Sequence, residues 1–273
     1  MNKPCGLCGA ETSMTHKARL LGKYDVAYFL CPRCDLLQTE TPYWLEEAYR
    51  QSISTLDTGL IHRNIMTSRR VARFCILNGL EKVSGLDFAG GYGILVRMLR
   101  DLGLDFFWSD KYSPNLAAMG FAAAPGRKYA IVTAFEVFEH FNEPEGQIGE
   151  ILASSPDFLL METTLRESRS VPGLEWKYYA QQSGQHVAFY SQATCEFIAE
   201  KFGYHFRREG RLLVFSKRPR KGGWARWLRI PRAFFRIHFP DSIPFIRRDQ
   251  ESAERTLALQ SAAETAKEEK SLK

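Results

Sequence analysis

Residues 85–93 read Gly-Leu-Asp-Phe-Ala-Gly-Gly-Tyr-Gly. A short apolar strand ends in an acid and breaks into clustered glycines, and the helical pattern Ile94-Leu-Val-Arg-Met-Leu follows. Glycine lets a backbone approach a ligand closely, and the free N–H groups at a helix start favour nucleotide-like cofactors. Two familiar versions of this turn fail on single letters. The dinucleotide fingerprint needs a third glycine, and Gly91-Tyr-Gly93-Ile-Leu-Val96 ends in valine. A phosphate-gripping P-loop needs Gly-Lys before Ser or Thr, and no lysine stands here.

The chain around this turn alternates between strand and helix patterns. A helix over 52–82 ends at Asn78-Gly79, and segments 83–88, 94–102, 104–109, 113–120, 129–134, 145–153 and 157–162 follow in order. Such a series predicts an α/β fold with a mainly parallel sheet. The short stretch between Asp110 and Tyr129 leaves the usual third strand abbreviated or lost, so no adenine contacts are assigned. Asp110 closes the second strand, roughly 20 residues after the turn, where an acid meets ribose hydroxyls. Its plain alternative is a helix N-cap.

The run Asp87-Phe-Ala-Gly-Gly-Tyr-Gly93 resembles motif I of the class I S-adenosylmethionine-dependent methyltransferases, with Ala89 where the first glycine stands. Alanine is tolerated there unless the position needs a positive φ. Glu136-Val-Phe-Glu139-His140 resembles the E-V-x-E-H segment after the fourth strand of many small-molecule enzymes of this class. The resemblance implies a Rossmann-like methyltransferase sheet, mostly parallel with an antiparallel last strand. It implies S-adenosylmethionine held by Asp87, Ala89, Gly90, Gly91, Gly93, Asp110 and Glu136, with Glu139 nearer the rim of the active site.

Cys5-Gly-Leu-Cys8 and Cys31-Pro-Arg-Cys34 are two C-x-x-C knuckles. Four thiolates at that spacing close a tetrahedral site around a structural Zn2+, in a zinc-ribbon-like module too small for a large core of its own. A redox pair would follow a strand in a βαβ unit, and none surrounds these cysteines. His16 reads as a solvated loop histidine, and Cys75 and Cys195 as core residues. The stretch from Asp35 to Tyr49 resembles sugar C-methyltransferases that carry an N-terminal zinc module. Those enzymes have a further C-terminal domain that this length does not accommodate, which weakens a sugar-nucleotide acceptor.

After 157–162 comes an aromatic insert, with Trp176-Lys-Tyr-Tyr-Ala and then Gly184-Gln-His-Val-Ala-Phe-Tyr-Ser191. A helix over 192–202 and strands at 204–208 and 211–217 close the pattern. Loops at the carboxyl ends of parallel strands bind ligands. Trp176, Tyr178, Tyr179 and Tyr190 are therefore the expected acceptor contacts, with packing onto the sheet as the alternative. Methyl transfer to a hydroxyl needs a base, and His186 or His140 is expected to serve, His186 first.

The 273 residues carry 37 Lys/Arg and 31 Asp/Glu. Ten of the cations, against the lone acid Asp241, lie between Lys217 and Arg248, which leaves 27 basic and 30 acidic residues elsewhere. Within that stretch Trp224, Trp227, Leu228, Phe234, Phe235 and Phe239 share one helical face, and Arg226, Arg229, Arg232 and Arg236 the other. Contact of 224–239 with an anionic membrane, docking on the domain or a second subunit, and RNA binding remain open. No run of about 18 uncharged apolar residues and no secretory signal occur, so a cytoplasmic enzyme is expected, peripheral at most on the inner membrane face. The expected layout is a zinc module over 1–45, the methyltransferase domain over 46–218, the basic segment over 219–248 and a charged flexible tail over 249–273. The expected activity is O-methylation of a small molecule or glycan, extending to lipid-linked saccharides and polysaccharide biosynthesis. An RNA methyltransferase is the rival.

Overall fold

The computed structural model describes residues 3–50, 59–219 and 229–238, with Asp249, Glu251 and Arg255. They fall into two units: 3–50 with 128–219, and 59–127 with 229–238 and the three single residues.

In the first unit, β1 (Ser13–Leu20) and β2 (Tyr24–Leu30) form an antiparallel hairpin. Its turn places Leu21 and Gly22 at positive φ, 53° and 71°. β3 (Leu37–Thr39) adds to β2, and the two-residue β8 (Ala188–Phe189) adds to β3, with Leu37 opposite Phe189. The N-terminal sheet thus recruits its last strand from the aromatic insert, 150 residues later. Leu20, Val26, Tyr28, Leu37 and Trp44 share one core with Tyr179, Val187 and Phe189. The Trp44 indole N–H donates to the Gly184 carbonyl at 2.8 Å.

The same unit holds β6 (Ile131–Phe135) parallel to β7 (Phe158–Glu162), and β10 (Leu212–Ser216) antiparallel to both β7 and β9 (His205–Glu209). Their order is β6-β7-β10-β9. β6 and β10 are almost wholly buried, as continuous apolar strands covered on both faces are. α4 (Pro144–Leu152) begins on a proline, whose missing N–H costs nothing in the first turn. α5 (Gln192–Phe202) begins on a Ser191–Thr194 capping box and ends at left-handed Gly203.

In the second unit, α2 (Leu60–Asn78) stops at left-handed Gly79. β4 (Ser84–Phe88) pairs in parallel with β5 (Asp105–Ser109) through the crossover helix α3 (Ile94–Asp101). Gly85 leaves room for the Phe106 ring, which a Cβ would meet at 2.4 Å. The parallel strands, crossover helices and antiparallel last pair are those of the expected α/β fold. The abbreviated third strand survives as one parallel bridge between Trp108 and Ala122. The helix expected over 113–120 does not form. Asn115 accepts from the Ala118 N–H at 2.9 Å and donates to its carbonyl at 2.8 Å, taking the groups a helix would use.

α6 (Ile230–His238) lies on α2. Its contact differs from the expected aromatic face: Ala233 and Ile237 are buried, while Phe234 is 60% exposed. Arg229, expected on the solvated face, reaches the Ile76 carbonyl at 3.3 Å and lies on Gly79. Trp224, Arg226, Trp227, Leu228, Phe239 and nearly all of the tail fall outside the described residues. Among the described residues, no helix is long and apolar enough to cross a membrane.

Candidate functional site

The glycine turn occupies the second unit, between β4 and α3. Gly90 is required by closeness: a Cβ there would stand 2.7 Å from a carboxylate oxygen of the buried Asp87. Gly93, the N-cap of α3, has a φ of 81°, and a Cβ would strike Asn115 Oδ1 at 2.8 Å. Gly91, at a φ of 54°, has open space beside it. Ala89 corrects the sequence reading. Its φ is 53°, in the left-handed region where alanine is strained and glycine is not, so the substitution is not a mild one.

Asp110 organises this turn. Its Oδ2 accepts from the Gly91 N–H at 2.9 Å, and its Oδ1 from the N–H groups of Tyr112 and Ser113 at 2.7 and 2.8 Å. The carboxylate therefore holds the glycine backbone and caps the next turn; Oδ1 is filled by two N–H groups, and Oδ2 keeps one further acceptor site for a ligand hydroxyl. Trp108 supports the same turn, its indole N–H donating to the Gly91 carbonyl at 2.8 Å.

The four cysteines meet in the first unit. Their Sγ atoms lie within 4.8 Å of one another, with Cys5–Cys34 at 3.4 Å and Cys8–Cys31 at 3.5 Å. These separations are too long for disulfides and close to the edges of a thiolate tetrahedron with metal–sulfur bonds of about 2.3 Å. The Leu7 and Cys34 N–H groups point at Cys5 and Cys31 sulfurs, both at 3.5 Å. The donor set and its shape fit zinc. The module is tied down by Asp35, one residue beyond the last knuckle. Asp35 pairs with the buried Arg166 at 2.9 Å and accepts from Ser191 Oγ at 2.6 Å and the Arg169 N–H at 3.0 Å. His16 corrects another expectation: it is stacked on Tyr28 at 4.6 Å, and its buried Nε2 has no partner. Burial lowers its pKa.

The third constellation, also in the first unit, gathers residues from β6, β7 and the insert. After β6 the chain turns at Glu136, which takes a φ of 54°, and enters a 3-10 turn over Phe138–His140. Phe138 anchors that turn against Phe141 and Tyr190, and Glu139 is completely buried rather than at a rim. Tyr178 donates its hydroxyl to Glu139 Oε1 at 2.5 Å, and Thr163 donates to Oε2 at 3.2 Å. Burial, and then the charges of Glu139 and Glu136, push the Tyr178 pKa up, so it stays a donor.

The two histidines flank this acid. His186 Nδ1 lies 2.7 Å from the Tyr178 carbonyl, and His140 Nδ1 lies 3.1 Å from the Gln185 carbonyl. A carbonyl only accepts, so each Nδ1 carries a proton, and Nε2 is the nitrogen at which each ring can accept one. The rings meet edge to face, with centroids 5.1 Å apart. His186 is held below the ordinary histidine pKa, by burial first, with Glu139 opposing and His140 reinforcing.

The structure thus brings together His140, His186, Tyr178 and, by its charge, Glu136. It takes Tyr179 and Tyr190 into the core instead: both are fully buried, and the Tyr179 hydroxyl donates to the Pro172 carbonyl at 2.9 Å. Trp176, partly buried, packs at the edge of the core that holds Tyr179. Thr163 and the central place of Glu139 escaped the sequence. Thr163 bears no motif, and only its position just past β7 marks it.

A family model described as a methyltransferase domain matches residues 58–208. No curated protein matches the chain. Among solved structures, magnesium protoporphyrin IX methyltransferase from Synechocystis PCC 6803, with bound S-adenosylmethionine, is 15% identical, with 65% of this chain and 93% of that one covered at a TM-score of 0.44. An O-methyltransferase family protein from Burkholderia thailandensis is 16% identical over 65% of this chain and 68% of that one, with a TM-score of 0.41. Human N-acetylserotonin methyltransferase is 14% identical over 64% and 66%, with a TM-score of 0.38.

Proposed function

Because this chain belongs to the methyltransferase domain family and is a class I S-adenosylmethionine-dependent enzyme, we propose that it methylates a hydroxyl of a small molecule or saccharide. The single observation behind this reading is the pair of histidines whose Nδ1–H groups are tied to backbone carbonyls. Each is thereby fixed in the tautomer that can take a proton at Nε2. The cofactor's sulfonium already activates the methyl group. The chain's tasks are to hold the donor, position the acceptor oxygen and remove its proton.

The residues divide that work. Gly90, Gly91 and Gly93 keep side chains away from the cofactor, and Asp110 fixes the Gly91 backbone while offering the spare acceptor site of Oδ2 to the ribose. Asp87 and Glu136 act toward the cofactor's ammonium and methionine end. His186 is the base, oriented by the Tyr178 carbonyl, and His140 stands beside it. As the acceptor O–H ionises onto Nε2, its electron pair forms the O–CH3 bond. Bound S-adenosylmethionine would supply that methyl group, its C–S bond pair staying on sulfur as the O–CH3 bond forms. The four cysteines would hold a structural zinc, which supplies cross-linking of the module and no chemistry at the acceptor.

Transfer from methyl-tritiated S-adenosylmethionine to a panel of hydroxylated acceptors tests the reading. The expected result is labelled methyl ether that His186→Ala suppresses while calorimetric affinity for the cofactor is unchanged. Labelled RNA, with binding that collapses as salt rises, would overturn it in favour of a nucleic-acid substrate.

A further inference from the structure

Glu139 poses a charge problem. It is completely buried, and its two oxygens receive only the neutral hydroxyls of Tyr178 and Thr163. Among the described residues it forms no ion pair with lysine or arginine. A buried carboxylate is costly to ionise unless a cation balances it. The groups beside it are two imidazoles, each with Nδ1 already committed to a carbonyl and Nε2 open.

That pattern is the one metal-binding histidines show. The outer N–H is fixed by a backbone carbonyl, the ring cannot turn, and the free nitrogen points to a shared centre. The carboxylate is likewise held by two hydrogen bonds. One carboxylate oxygen of Glu139 and one ring nitrogen from each histidine lie within 4.8 Å of one another. Metal–ligand bonds of about 2.1 Å place neighbouring ligands about 3.0–3.4 Å apart, so the three side chains close inward around the ion to complete the set. Two imidazoles and one carboxylate suit divalent first-row cations and leave coordination positions open.

We propose that Glu139, His140 and His186 form a second metal site, for one divalent first-row cation, separate from the four cysteines. The inference rests on the reading of this cluster as the place where the acceptor hydroxyl is ionised, and it narrows the means. A bound cation would lower the pKa of an acceptor hydroxyl that ligates it, and the proton would then leave to solvent water instead of to an unligated Nε2. Acceptors with a second oxygen beside the reacting hydroxyl would then be favoured, since they fill two open positions.

The experiment uses the full-length protein loaded with one equivalent of Zn2+ per chain, which the four thiolates take first, and then titrated with CoCl2. Metal content is read by mass spectrometry and the cobalt spectrum by absorption. The expected result is one further equivalent per chain, with weak visible bands and no sulfur-to-cobalt charge-transfer band. His186→Ala and His140→Gln should each weaken that equivalent at least tenfold while the cysteine zinc stays bound. No further equivalent in the folded wild-type protein overturns the inference, and so does undiminished binding in either folded variant. Calorimetry with S-adenosylmethionine on the same samples separates the two readings. Cofactor binding and methyl transfer without the extra equivalent sink the metal and keep the methyltransferase chemistry, whereas loss of cofactor binding sinks the latter.

Discussion

Asp35 and Glu139 are both buried acids of the same unit, and they are treated in opposite ways. Asp35 faces a guanidinium, a serine hydroxyl and a backbone N–H, and its own carbonyl takes the Thr194 hydroxyl at 2.8 Å. Glu139 faces two neutral hydroxyls and two imidazoles whose open nitrogens accept rather than donate. A fully answered charge is an internal brace joining knuckle, insert and helix α5. The other acid is the one proposed to hold a metal. Burial alone does not separate the two roles, and the partners do.

Removing an answered charge should be the most damaging change. Asp35→Ala strands the buried Arg166, and a loss of about 3–5 kcal/mol is expected, read by urea unfolding. A loss below about 1 kcal/mol would show that Asp35 is no brace. His186→Ala should leave that unfolding curve nearly in place and slow methyl transfer by about 10²–10⁴-fold, the usual worth of a positioned proton acceptor. Neutral isosteres sharpen the contrast. Asp35→Asn should cost nearly as much as the alanine change, whereas Glu139→Gln, measured without added metal, should leave stability within about 1 kcal/mol because it removes an unbalanced charge. Equal losses in the two would dissolve the distinction.

Two smaller effects lie outside the pair. Ala89→Gly relieves a left-handed conformation worth about 1–2 kcal/mol and adds about 0.4–1 kcal/mol of unfolded-chain entropy, so a net gain of about 0.5–1 kcal/mol is expected. Thermal melting checks it, and a destabilised glycine variant would contradict the strain at Ala89. His16 should make stability fall with acid. Its folded pKa lies below the unfolded value of 6.5, so the unfolded chain binds the proton first. Its contribution is complete above pH 6.5 and is lost as the pH drops through the folded value. His16→Phe should flatten that part of the pH–stability curve.

Legibility varied with how local each determinant is. The C-x-x-C spacings, the glycine turn and the E-V-F-E-H segment were readable because their geometry is set within a few residues. So were the strand and helix spans on either side of them. The 113–120 helix was misread because side-chain bonds from Asn115 compete with helix formation, and periodicity does not register them. Ala89 was misjudged because the sign of φ is a backbone property that its identity does not reveal. Tyr179 and Tyr190 carried the letters of a binding loop, yet packing buries both, Tyr179 against the N-terminal hairpin and Tyr190 against Phe138.

The sequence by itself determined the family, the glycine turn, the four-cysteine set and the candidacy of both histidines, since each resides in a short contiguous pattern. Only the tertiary structure decided which acid is braced and which is left open. That choice depends on Arg166, Ser191, Thr163 and Tyr178, residues with no signature of their own. Strand pairing and core packing bring them to Asp35 and Glu139 from 24 to 156 positions away along the chain.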